Sequence, residues 1–156
     1  MPNRIYRGSY PPRPTDHILA HPYEVLIALG GFLACAALLA AEAGAPVSIS
    51  PTLQALPSTV AWLVGLSGAL GNVLVVLGVF DDGEDLMRGW MLERVGLIGA
   101  ITSWGTYSLA VATMHPGAAI SYGLTLCITL SHTVRLVATM REETSTRRAI
   151  RTHGAQ

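Results

Sequence analysis

Four long apolar blocks dominate this chain, and they constrain its fold more than any motif does. They run over residues 23–41, 58–80, 90–113 and 117–140. Each is close to or above the roughly 20 residues an α-helix needs to cross the hydrocarbon core of a bilayer. A soluble chain of 156 residues alternates apolar and polar positions, whereas this one is 51% hydrophobic, only 13% charged, and segregates the two. The expectation is an all-α integral membrane bundle of four transmembrane helices with antiparallel, up-down connectivity. A tail rich in Pro and Arg (1–21) precedes the transmembrane domain (22–140), and a polar tail (141–156) follows it and can prolong the fourth helix.

The first block, preceded by basic residues and followed by Ala41-Glu42-Ala43, imitates a secretory signal peptide. The long tail before it and the three apolar blocks after it argue instead for a retained first helix. Pro11, Pro12 and Pro14 favour extended geometry in that tail, whose arginines suit a surface of anionic lipid. Cys35 and Cys127 both lie inside apolar blocks and form neither a disulfide framework nor a metal site. The acidic run DDGED at 81–85 lacks the ligand spacing of a Ca²⁺-binding loop and reads as a solvated turn. No nucleophile–base pair, metal cluster or nucleic-acid module is visible, so neither an enzyme, a cofactor nor a nucleic-acid partner is expected.

Orientation follows from the ten basic residues, all of them Arg. Arg4, Arg7 and Arg13 precede the first block. Arg88 and Arg94 lie around the middle turn, and Arg141, Arg147, Arg148 and Arg151 follow the last block. The loops at 42–57 and 114–116 carry none. Excess positive charge stays on the cytoplasmic side, which predicts that both termini and the middle turn are cytoplasmic. Tyr23, Phe80 and Trp90 then fall near the inner interface and Trp62 near the outer one, as aromatic belts do.

The last two blocks are joined by only a few residues around His115-Pro116, so they form a tight antiparallel hairpin. Glu93 lies 22 residues before His115 and Arg135 lies 20 after it. At about 1.5 Å per residue their depths differ by only ~3 Å. Pairing removes a desolvation cost that each would otherwise carry alone, which makes Glu93 and Arg135 the expected intramembrane ion pair. His132 lies one turn deeper, and Ser121, Thr125 and Thr129 continue a polar stripe along the same helix. Gly96, Ala100, Ser103 and Tyr107 recur at helical spacing on the third helix and are expected to face that stripe. Such a stripe either glues the hairpin or lines a water-filled path in an oligomer.

The second block carries a face of small residues, Gly65, Ser67, Gly68 and Gly71, which permits close helix approach. That face serves packing within one chain or association between copies. Asn72, an amide within an apolar helix, is expected to face protein because hydrocarbon offers it no partner.

The stretches RGWMLERVGL, SWGTYSLAV and HTVRL, with PSTVAWLVGLSGALGNVLVVLGV before them, resemble small four-span membrane proteins of actinobacteriophages, often labelled holins. The resemblance covers roughly residues 57–140. Arg88, Glu93, Gly96, Tyr107 and Arg135 match its recurring positions, whereas Asn72 and His132 are particular to this chain. It implies a protein of the host cytoplasmic membrane that forms homo-oligomers and opens lesions through which an endolysin passes, alongside other phage lysis proteins. The alternative is a non-lytic membrane interaction protein, for superinfection exclusion or regulation of lysis. A small transporter is disfavoured because neither a broken helix nor an inverted repeat marks a substrate site.

Overall fold

Proline, glycine and the ends of the apolar blocks determine where the helices start and stop. The computed structural model describes residues 22–81, 86–115, 117 and 119–153, with side chains omitted at 86, 87, 119 and 146–153. The 1–21 tail and the acidic residues 82–85 lie outside the described residues. Among the described residues the secondary structure is entirely helical: α1 (Pro22–Glu42), α2 (Pro51–Gln54), α3 (Ser58–Phe80), α4 (Leu86–Met114) and α5 (Ala119–His153). The four long helices are each long and apolar enough to cross a membrane, the makeup of a multi-pass membrane protein.

Gly44, the sole described residue with positive φ (87°), terminates α1. Its left-handed conformation lets Ala45 N–H reach back to the Ala40 carbonyl at 2.9 Å, closing the helix end without a Cβ penalty. The loop that follows contains one turn of helix not anticipated from its prolines. Ser50 Oγ accepts from Leu53 N–H at 3.3 Å, and Pro51 supplies a first position that needs no donor. The start of α3 is tied back to the end of α1 by Ser58 Oγ, which donates to Glu42 Oε2 at 2.7 Å.

The fourth block extends further than its apolar residues. α5 continues without a break through Arg141 to His153, a stretch with no proline or glycine and several strong helix formers.

α3 and α4 form the centre of the molecule. Their approach is close because glycine meets glycine. A Cβ on Gly71 would lie 2.7 Å from Ala100 N and 2.8 Å from Gly96 O, and one on Gly96 would lie 2.7 Å from Gly71 O. A Cβ on Gly78 would come within 2.6 Å of Glu93 N. Backbone thus packs on backbone over three turns, the arrangement small residues permit in membrane helices. α1 lies against α3 through Ala28, Gly31, Cys35 and Leu38, one face at three- and four-residue spacing. Two apolar clusters result. Leu38, Leu56, Ala61 and Val64 form one, with Tyr107 and Ala110 against it; Ala28, Val75 and Leu97 form the other, with Leu136 against it.

One expected face is corrected by this packing. Gly96, Ala100, Ser103 and Tyr107 do not meet the polar stripe of α5. They turn toward α3 and α1: Ser103 Oγ donates to Val64 O at 2.9 Å, and Tyr107 packs on the Leu38 cluster. Helical spacing located a contiguous face, but both α3 and α5 are candidates to receive it, and the glycines of α3 accommodate the closer approach.

Candidate functional site: a polar seam and a charge cluster

α5 is attached by a stripe unlike the other interfaces. Its buried residues among those described are Thr125, His132, Thr139 and Glu143, all polar. Leu124, Leu130, Val134, Val137 and Met140 are exposed on the remaining surface. α5 therefore presents apolar side chains outward and polar ones inward, the inverse of a helix held in water by its apolar face.

The seam against α4 can be followed residue by residue. Ser108 Oγ and Thr125 Oγ1 lie 2.8 Å apart and share a hydrogen bond. Gly105 faces Thr129, whose methyl would lie 3.7 Å from a Cβ at the glycine. At the next level Leu136 packs against the cluster that contains Leu97. Thr139 Oγ1 donates to Glu93 Oε1 at 3.1 Å, and Arg135 Nε donates to the same oxygen at 2.6 Å. Arg94 pairs with Glu143 beyond them. Each threonine on this stripe also returns its hydroxyl to a carbonyl of its own helix, Thr129 to Thr125 and Thr139 to Arg135. The stripe thus carries few unsatisfied donors even before α4 arrives.

The Glu93–Arg135 pair is joined by a third member. Glu24, in the first turn of α1, places Oε1 3.2 Å from Arg135 Nε. A single guanidinium thus bridges carboxylates from two other helices, and α1, α4 and α5 converge on it. Sequence reasoning confined to the last hairpin misses Glu24. Thr139 and the Arg94–Glu143 pair were missed for a different reason. Both fall at or beyond the apparent end of the last apolar block, where a polar residue looks solvated until α5 is known to continue.

His132 is buried, at 5% exposure, and its Nε2 has no hydrogen-bond partner. Among the described residues the indole N–H of Trp104 is likewise buried without a partner, while its ring meets Tyr107 edge-on at 6.4 Å.

Asn72 lies elsewhere. It is fully buried between α3 and α1, with Nδ2 donating to the Gly68 carbonyl of its own helix at 2.7 Å and its amide seated on Gly31. Oδ1 is left without a partner. The amide therefore acts as a wedge in the α1–α3 contact and does not join the Arg135 cluster. Beside it, a groove of about 180 Å³ runs between α1 and α3, lined by Ala28, Leu29, Phe32, Val73, Val76 and Leu77.

The small-residue face of α3 is occupied within the chain. Gly65 lies against Leu39, Gly68 against Cys35 and Ser103, and Gly71 against Gly96 and Ala100. Cys35 is buried with Sγ 3.7 Å from Ser103 Oγ, and Cys127 is exposed on α5; both are free thiols. No three His, Cys, Asp or Glu side chains among the described residues are grouped to hold a metal ion. In comparisons with known proteins, no family model, curated protein or solved structure matches this chain.

Proposed function

We propose that this protein is a holin-like phage membrane protein that oligomerises and permeabilises the host cytoplasmic membrane. In this reading the four helices insert as an antiparallel, up-down bundle with both termini cytoplasmic. The order of contacts along the α4–α5 seam supports the hairpin: Ser108 pairs with Thr125, and Glu93 with Thr139. The observation that carries the functional reading is the chemistry of that seam. α5 buries a polar stripe and exposes an apolar surface, so hydrogen bonds and ion pairs hold it, with little apolar burial. Individual hydrogen bonds between membrane helices contribute only about 0.6 kcal/mol on average. When α5 parts from α4, Thr125, His132 and Thr139 become available to water, and several copies together line an aqueous lesion with them.

The resemblance of residues 57–140 to small actinobacteriophage membrane proteins supports the same conclusion. The protein then acts by rearrangement rather than by catalysis, and its partners are the bilayer, further copies of itself and other lysis proteins. Induced expression in a bacterial host should, after a delay, collapse the membrane potential abruptly. The collapse should also release a co-expressed endolysin that lacks a signal peptide. Sustained expression in the inner membrane with the potential intact would count against the reading.

A second reading, a non-lytic interaction protein for exclusion or lysis control, is favoured by one observation. Gly65, Gly68, Gly71 and Gly96 are consumed inside one chain, so association between copies must use a different surface. An intact potential together with loss of infection by a second phage would select it.

A further inference from the structure

α5 is tied to the rest of the chain unequally along its length. α4 ends at Met114 and α5 starts at Ala119, so a short connection keeps those two helix ends together. Near that end the tie across the seam is neutral, the 2.8 Å contact of Ser108 Oγ with Thr125 Oγ1. One turn further along α5, Thr129 returns its hydroxyl to its own helix and turns its methyl toward Gly105.

The ties at the opposite end carry charge. Glu93 Oε1 accepts from Arg135 Nε at 2.6 Å and from Thr139 Oγ1 at 3.1 Å. Arg94 pairs with Glu143 one turn beyond Thr139. Glu24 Oε1 approaches the same Arg135 Nε at 3.2 Å from α1. Charge-assisted hydrogen bonds are stronger than neutral ones, and a dry surrounding strengthens them further.

Glu24 adds something the other ties do not. α1 packs along α3 and α5 packs along α4, but α1 and α5 do not pack along each other. The Glu24–Arg135 contact therefore joins two helices that apolar packing leaves separate. Glu24 and Arg135 keep 29% and 20% of their side chains accessible, so this contact can open without unpacking the α1–α3–α4 core.

We propose that the Arg135 end of the bundle is a clasp. Glu24 and Glu93 grip the guanidinium from two helices and hold the end of α5 that lies away from its connection to α4. When the clasp opens, α5 swings about the connected end, and the Arg135 level parts before the Ser108–Thr125 level. α1 is thereby an autoinhibitory element that restrains a helix it does not pack against. The consequence for lysis rests on the holin-like reading above, whereas the clasp itself is tested by distances.

The test is pulsed electron–electron distance measurement on the full chain in lipid bilayers, with spin labels at exposed positions. Val95→Cys/Val137→Cys spans the seam at the level of Glu93 and Thr139, and Leu109→Cys/Leu124→Cys spans it at the level of Ser108 and Thr125. Both pairs are made in a Cys127→Ser background, where the remaining native thiol, Cys35, is buried. Glu24→Gln keeps an oxygen for Arg135 but removes the charge. It should shift the 95–137 distance to longer values and leave the 109–124 distance essentially unchanged. In an Arg135→Gln background it should add no further shift, which separates its action on the guanidinium from any other contact of its carboxyl. If Glu24→Gln does not accumulate, Thr139→Val removes a tie at the same level with little change of shape, and should shift the same pair. In cells, Glu24→Gln should shorten the delay before the membrane potential collapses. An unchanged 95–137 distance overturns the proposal, and so do equal shifts of both pairs or an undiminished effect of Glu24→Gln without Arg135. A wild-type protein that leaves the potential intact contradicts the lysis reading alone, because the distances still decide the clasp.

Discussion

Arg135 is the residue on which most depends, because two carboxylates share it. Removing one partner of a buried ion pair strands the other, at a cost of about 3–5 kcal/mol. Arg135→Leu takes the shared guanidinium from both Glu93 and Glu24 and should sharply reduce accumulation of folded protein. Glu93→Leu leaves Arg135 with Glu24 and should cost less. The double replacement should recover part of the Arg135→Leu loss, and quantitative blotting of membrane fractions would show it. Simple addition of the two single effects would mean that Glu93 and Arg135 are not coupled. Equality of the two single effects would mean that Glu24 does not share the guanidinium.

The Glu93–Arg135 pairing was legible in the sequence because two rare charges in apolar blocks fall at one depth when counted from the turn. Glu24 was not, because a carboxylate near the start of an apolar block looks interfacial until another helix brings a cation to it. Asn72 was legible only in part. Its need for a protein environment follows from its chemistry, but nothing in the sequence says that Gly31 is what it rests on.

At the scale of elements, the glycine-to-glycine contact of α3 with α4 is the tightest in the structure. Gly71→Leu or Gly96→Leu places a side chain against opposing backbone, which cannot rotate away, so the helices must separate. Loss of the folded protein is expected, measurable as a lower midpoint in detergent thermal unfolding or as proteolysis in membranes. Gly30→Ala and Gly123→Ala meet nothing within 4 Å and should leave that midpoint essentially unchanged. Gly68→Ala meets the Cys35 and Ser103 side chains, which can shift, and should fall between these extremes. If Gly71→Leu instead folded normally and altered only self-association, the face would be external.

The four long helices were legible from block length, yet their partnerships were not. A face of Gly96, Ala100, Ser103 and Tyr107 is evident from spacing. Its choice of α3 over α5 depends on how closely each neighbour can approach, a tertiary property. The continuation of α5 to His153 shows the converse case, in which helix propensity persists after the apolar signal has ended.

As a whole, the molecule joins a tightly packed α1–α3–α4 unit to α5, a helix held by polar contacts. The proposed topology predicts that reporters fused at Ser50 and Gly117 lie outside the cytoplasm and those at Gly83 and Gln156 inside it. A Gly83 fusion reporting from outside would overturn that orientation.

In the proposed function, α5 must part from α4 for the membrane to be breached. Ser108 and Thr125 face each other across this seam with 2.8 Å between their oxygens, close enough for a cysteine pair to bridge. The decisive measurement follows membrane potential in cells expressing Ser108→Cys/Thr125→Cys in a Cys127→Ser background, under oxidising and then reducing conditions. The proposed rearrangement predicts that the reduced protein collapses the potential. The oxidised protein, bridged within each chain, should accumulate without collapsing it, and added reductant should then trigger the collapse. Collapse at an undiminished rate with the intramolecular bridge fully formed would contradict it.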